Sequence, residues 1–164
     1  SDRFEKIVAA NTGLPTGKAP LSEGFAVFRE FLQIKPDLHV AGQVRNGTTK
    51  GIDENALAAY NAPFPDDDHK QGVRQFPNLV PGTPRTPSAE PNKEAWKILR
   101  EWKKPFLCAF SDKDPIFSGV ENSFYKLIPG CKDMPHVTIE DAGHFLQEDQ
   151  PEACVDAILS IKDI

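Results

Sequence analysis

The stretch Ile139-Glu140-Asp141-Ala142-Gly143-His144-Phe145-Leu146-Gln147 decides how this chain is read. The run His136-Val137-Thr138-Ile139 leads into it as a short strand, and Asp141-Ala142-Gly143 is a turn of small residues that presents His144. A histidine on a tight turn after a strand stands at a sheet edge, where its imidazole moves protons near neutral pH. Upstream, Phe106-Leu107-Cys108-Ala109-Phe110 reads as a buried strand ending in Ser111-Asp112-Lys113-Asp114-Pro115. Carboxylates therefore close one strand and a histidine closes the next, the acid and base of a nucleophile–His–acid triad. Asp114 is the expected acid, because Pro115 after it favours a fixed, non-helical backbone. Asp112 competes for that role and would otherwise cap a turn. A nucleophile should come earlier, and none is recognisable in these 164 residues.

Working outward, the C-terminal part alternates helix and strand. The pattern predicts a helix over 94–102, a strand over 105–110, a helix over 119–128, a strand over 135–140 and a helix over 151–161. In the last helix Pro151 suits the first turn, and Val155, Ile158 and Leu159 are expected to form the buried face. Trp96 and Trp102 read as packing anchors, and Glu90-Pro91-Asn92 as a lead-in to the first of these helices. At the other end, residues 3–10 form a β-like run that stops at Asn11-Thr12-Gly13, a turn signal. Between these parts lie helical patches broken by joints that hold most of the 15 prolines. The patches cover 23–33, with Phe25, Phe28, Phe31 and Leu32 at helical spacing, 53–60, with Leu57 and Ala58 inward, and 68–79, with Asp66 or Asp67 as N-cap. The expected organisation is a core strand over 1–13, a helical cap domain over 14–94 and the remaining core over 95–164. The expected class is α/β with parallel strands.

Composition excludes several functions. The net charge is −5 and no basic stripe exists to neutralise phosphates, so nucleic acid is not an expected partner. No apolar run is long enough to span a membrane, and Ser1 to Lys6 lack the apolar core of a signal peptide. Three cysteines, Cys108, Cys131 and Cys154, are odd in number and far apart, which favours free thiols in a reducing, cytoplasmic setting. Asp66-Asp67-Asp68-His69 superficially resembles a metal cluster but reads as a solvated helix start, and no metal site is expected. His39 and His136 look unremarkable.

Three parallel strands with a helical insertion leave sheet edges open to water. The expectation is therefore a partial fold: the rear half of a larger protein whose other half supplies the missing strands and the nucleophile.

Five segments carry a resemblance: A-N-T-G-L-P-T-G (10–17), A-A-Y-N-A-P-F-P-D (58–66), G-V-R-Q-F-P-N-L-V-P (72–81), K-P-F-L-C-A-F-S-D-K-D-P-I (104–116) and D-A-G-H-F-L-Q-E-D (141–149). With them the chain resembles the C-terminal half of a haloalkane dehalogenase of the α/β-hydrolase superfamily. A-G-H-F alone is shared by many such hydrolases; A-P-F-P-D and R-Q-F-P joined to F-S-D-K-D-P are much narrower.

The resemblance implies a two-step displacement. An upstream carboxylate attacks the halogen-bearing carbon and expels halide, and water activated by His144 hydrolyses the resulting alkyl ester. Asp114 would hold the His144 tautomer. No metal or organic cofactor is implied. The partners implied are a small halogenated alkane, water, halide ion and a complementary N-terminal segment, with no nucleic acid or membrane. Phe25, Phe28, Phe76, Pro77, Val80, Ile116, Phe117 and Phe145 match positions that line the family's substrate pocket. One departure stands out: Phe28 occupies a position where related caps place an indole N–H on the halide, and phenylalanine has no donor. The nearest enzymatic alternative is an epoxide hydrolase, which needs two cap tyrosines; the chain has only Tyr60 and Tyr125. A further alternative is a non-catalytic, degenerate hydrolase fragment.

Overall fold

The computed structural model describes residues 3–161. Residues 1–2 and 162–164, the outermost positions of the expected core segments, lie outside the described residues. The chain divides into two compact units, Ser1–Gly13 with Glu94–Ile164, and Leu14–Lys93.

The first unit is built on a parallel sheet of β1 (Ile7–Ala9), β2 (Phe106–Ser111) and β3 (Val137–Ile139), with β2 in the centre. β1 pairs with the first half of β2 (Ile7 opposite Phe106, Ala9 opposite Cys108), and β3 with the second half (Ala109 opposite Val137, Ser111 opposite Ile139). All six residues of β2 are buried, as expected of a strand covered on both faces. Its side chains alternate between two cores. Phe106, Cys108 and Phe110 pack with Ala9, Trp102, Phe124, Ile128 and Cys131. Leu107 and Ala109 pack with Ile139, Ala142, Leu146, Ala157 and Ile161.

Four helices flank this sheet. α5 (Ala89–Leu99) precedes β2, α6 (Glu121–Leu127) follows it, and α7 (Leu146–Asp149) and α8 (Pro151–Leu159) follow β3. α5 starts five residues before the expected position. Pro91 sits in its first turn, where the missing N–H has no intrahelical partner to lose, so the proline extends the helix instead of ending it. Phe124 of α6 meets Trp96, Phe106 and Phe110 at ring separations of 5.8, 5.6 and 6.2 Å. Gly130 donates to the Trp102 carbonyl at 2.8 Å. A β-carbon there would stand 2.0 Å from the Lys104 carbonyl oxygen, so only glycine fits.

The face of α8 differs from the sequence expectation. Val155, Ile158 and Leu159 are 53%, 55% and 53% exposed. The helix instead lays Ala153, Cys154 and Ala157 on the Leu107–Ala109 face, with Ile161 just beyond its end. Small residues at 153 and 157 let the helix approach β2 closely, and closeness to the sheet outweighs bulk in selecting the buried face.

The second unit, Leu14–Lys93, contains α1 (Glu23–Ile34), α2 (Val40–Asn46), α3 (Glu54–Asn61) and α4 (Gln71–Leu79). Ser22 accepts from Phe25 N–H at the start of α1, and Asp53 from Ala56 N–H at the start of α3. Of the two candidate caps before α4, Asp66 accepts from His69 N–H at 3.2 Å, while Asp67 pairs with Lys70. A small core of Leu32, Leu38 and Val40 gathers Phe28, Phe31, Phe64 and Val73. Arg74 closes the C-terminus of α1 by donating to the Leu32, Lys35 and Pro36 carbonyls at 2.7–2.9 Å. Leu57 is half-buried but Ala58 is exposed, contrary to expectation, because α3 is only eight residues long and packs chiefly on α2.

The packing of α8 is testable. Ala157→Leu should destabilise a folded protein carrying this chain by about 1–3 kcal/mol, because the side chain has no space against β2. Ile158→Ser should stay within about 0.5 kcal/mol. Denaturant unfolding of both variants decides; a larger loss at 158 than at 157 contradicts the assigned face.

Candidate active site

The site forms where the three strands end, and its loops are fastened to one another before any catalytic side chain is considered. After β2, Asp112 N–H donates to the Ile139 carbonyl at 3.2 Å and Lys113 N–H to the Ala142 carbonyl at 3.1 Å. Asp112 Oδ1 accepts from Ala142 N–H at 3.2 Å, so the competing carboxylate is an exposed fastener of the turn. Lys113 Nζ meets Asp141 at 2.5 Å, and that hydrogen-bonded carboxylate holds the Lys113 ammonium above its ordinary range. Asp141 itself takes φ 55°, a conformation that aspartate tolerates better than most side chains.

Beneath this lies a buried polar knot. Asn11, just past β1 at φ 35°, accepts from Ser111 N–H through Oδ1 at 2.9 Å. Its Nδ2 donates to Ser111 Oγ at 2.7 Å, to the Gly143 carbonyl at 2.9 Å and to the His144 carbonyl at 3.0 Å. Ser111 Oγ–H donates to the same Gly143 carbonyl at 2.7 Å. On the far side Gly143 N–H donates to the buried carboxylate of Asp149 on α7 at 2.8 Å. The peptide carrying His144 is thus held from both sides. The sequence offered Asn11 only as a turn signal, and it gave Asp149 no role.

On this support His144 Nδ1 lies 3.1 Å from Asp114 Oδ2. Asp114 is 2% exposed, and its other oxygen accepts from Ile116 N–H at 2.8 Å. An ionised carboxylate only accepts, so the pair requires Nδ1–H and leaves the lone pair on Nε2. The imidazole is stacked by Phe117, with centroids 5.7 Å apart and planes 23° apart, and met edge-on by Phe145 at 5.0 Å. These walls fix the ring plane and thin the water around it. What results is an oriented imidazole backed by a buried carboxyl group.

His136 provides the contrast. Its Nδ1 accepts from Cys108 N–H at 3.0 Å, and its Nε2–H donates to the Cys131 carbonyl at 2.9 Å. It therefore holds the opposite tautomer with both nitrogens used. It serves β2 at Cys108, one residue before the β3 ladder begins at Ala109. Tyr125 lies against its ring at 4.3 Å, and burial pushes that phenol up to about 12.

Of the residues expected around a substrate, Ile116, Phe117 and Phe145 surround the His144–Asp114 pair. The other five belong to the second unit. Phe25 and Phe28 face each other on α1 at 6.4 Å, with Phe28 also packed on the Leu32 core. On α4 Phe76 is 70% exposed and Pro77 is buried, and Val80 follows as the C-cap. Among the described residues no group of three or more His, Cys, Asp or Glu side chains is arranged to hold a metal ion. In the acidic run, Asp66 meets His69 at 2.6 Å and Asp67 meets Lys70 at 2.8 Å. No described helix is long and apolar enough to cross a membrane.

A parallel sheet with helices on both faces, an acid after one strand and a histidine after the next defines an α/β-hydrolase fold, here in part. Comparison with known proteins narrows this. No protein-family profile matches the chain. It is 49% identical over 151 residues to a haloalkane dehalogenase of Psychrobacter cryohalolentis, covering 92% of this chain and 50% of that protein. It is 38% identical over 159 residues to a haloalkane dehalogenase of Mycolicibacterium paratuberculosis, covering 97% and 52%. Among solved structures, the tetrameric haloalkane dehalogenase DpaA of Paraglaciecola agarilytica superimposes with a TM-score of 0.87 at 30% identity, over 99% of this chain and 54% of that one. The chain is a relative of the haloalkane dehalogenases, resembling the C-terminal half of one, and it spans about half the length of the curated relatives it matches.

The His136 contact predicts a pH dependence. Burial lowers its proton affinity below the ordinary value of about 6.5, and protonation would break the bond from Cys108 N–H. The unfolded chain then binds more protons than the folded one. Its contribution is complete above about pH 6.5 and is lost as pH falls toward the lower folded value. Denaturant unfolding between pH 7.5 and 5 should show a shallower acid loss in His136→Gln than in the parent; equal slopes would contradict the assignment.

Proposed function

We propose that this chain supplies the base and acid of a haloalkane dehalogenase, His144 and Asp114, for a carboxylate nucleophile carried on a complementary segment. The observation that carries the reading is the buried Asp114 carboxylate facing His144 Nδ1 at 3.1 Å, set in a chain 49% identical to a protein of that name.

The reading implies the following chemistry. The nucleophilic carboxylate oxygen forms a bond to the halogen-bearing carbon as halide departs with the bonding pair. Water then adds to the ester carbonyl carbon while His144 Nε2 takes its proton, and Asp114 stabilises the imidazolium that forms. The ester C–O bond breaks, and the alcohol leaves with a proton returned from the imidazolium. Phe117 and Phe145 make the surroundings of the base apolar, which suits a small apolar haloalkane as substrate. Phe28 brings no N–H, so halide must be received by donors other than the side chain at 28. By the same likeness residues 14–94 correspond to the family's cap domain, and Phe25, Phe28, Phe76, Pro77 and Val80 match the positions that line a substrate pocket there. Three free thiols suit a cytoplasmic setting.

The test joins this chain to the portion of the Psychrobacter relative that it does not match. The joined protein should release bromide from a primary bromoalkane over many turnovers. His144→Ala should release one equivalent and accumulate a covalent alkyl adduct visible by mass spectrometry. Asp114→Asn should lower turnover on the order of 10²–10⁴-fold. Continued turnover by the His144 variant, or a folded fusion that releases no bromide, would overturn the reading.

A further inference from the structure

We infer that Asn11 is the positioning residue that sets His144 against Asp114, an assignment that rests on reading this pair as base and acid. A turn asparagine ordinarily bonds its own backbone a residue or two away. Asn11 instead bonds partners 100, 132 and 133 positions distant, at the end of the strand that leads to the acid and in the turn that carries the base. Ser111 lies three residues before Asp114, and Gly143 and His144 are the base turn itself.

Proton accounting makes the amide specific. Ser111 Oγ spends its one hydrogen on the Gly143 carbonyl, so toward Asn11 it accepts. Of the two Nδ2 hydrogens, one serves Ser111 Oγ and the other is shared by the Gly143 and His144 carbonyls. Oδ1 takes the Ser111 N–H. Only a carboxamide supplies two donors and an acceptor on so short a stem. Aspartate has the same shape but no donor, and would turn its oxygen toward three others.

The lever is the His144 carbonyl. The 3.1 Å between Nδ1 and Oδ2 is near the long end for N–H···O, so a shift of a few tenths of an ångström in this backbone loses the bond. Without it Nδ1 no longer retains its proton by preference, and the Nε2 lone pair is no longer guaranteed. Asn11 touches no reacting atom; it acts through His144. Halide expulsion uses no base, so only the hydrolytic half of the reaction should depend on it.

The test uses the joined protein with Asn11 kept, with Asn11→Asp, and with Asn11→Gly, which suits φ 35° and removes the amide without backbone strain. Two signals are read: the His144 Nδ1–H proton resonance, assigned by its loss in His144→Gln, and the two rates of a single turnover. In both Asn11 variants halide release should stay within about twofold, ester hydrolysis should fall about tenfold or more, and the resonance should vanish or broaden. Folded variants that keep the resonance and hydrolyse the ester within twofold overturn the proposal, even if they melt earlier. Failure of Asn11→Gly to fold overturns it too, since the task assigned is positioning within an otherwise intact core. If the parent releases no halide, the dehalogenase reading fails while the resonance still decides the role of Asn11.

Discussion

The Gly143 carbonyl is the point on which the site depends. Two hydrogens converge on it, from Asn11 Nδ2 and Ser111 Oγ, while the N–H of the same glycine is taken by Asp149. Buried polar groups are costly unless every donor and acceptor is matched, and this knot is matched at each. Its benefit is geometric. The ends of β1 and β2 and the turn after β3 lie within the reach of one side chain, so the three loops cannot drift separately. An acid and a base carried by different strands need such a constraint, because a proton relay tolerates little error in distance.

The pairing of a histidine with a carboxylate was legible from residue types. A histidine after Asp-Ala-Gly and an aspartate before proline were enough to name His144 and Asp114, and the structure places them 3.1 Å apart. The strand Phe106–Ser111 was equally plain, since a run buried on both faces has few other readings. What escaped the sequence was context carried by backbone geometry. Asn11 looked like punctuation because a turn asparagine and a knot asparagine are the same letter, and its partners lie a hundred residues away. His136 looked idle because its purpose is to complete a strand ladder whose register no local pattern reveals. On α8 the larger apolar residues suggested the wrong face, and small ones at 153 and 157 won because the helix lies close to the sheet.

Two histidines in one small unit show how placement separates structure from chemistry. His136 has both nitrogens engaged and an ammonium-like state made unfavourable by burial. His144 has one nitrogen directed to a buried carboxylate and the other left with its lone pair. The sheet that carries them consists, among the described residues, of a central strand with one neighbour on each side, and the matched relatives are about twice as long.

Amide hydrogen exchange in the joined protein addresses the knot most directly. If the three loops form one locked body, Gly143 and Ser111 N–H exchange as slowly as the amides of β2, far more slowly than exposed turns such as that at Gly119. Exchange of Gly143 and Ser111 at the rate of an open loop would contradict the account, because the His144–Asp114 pair would then have no fixed support.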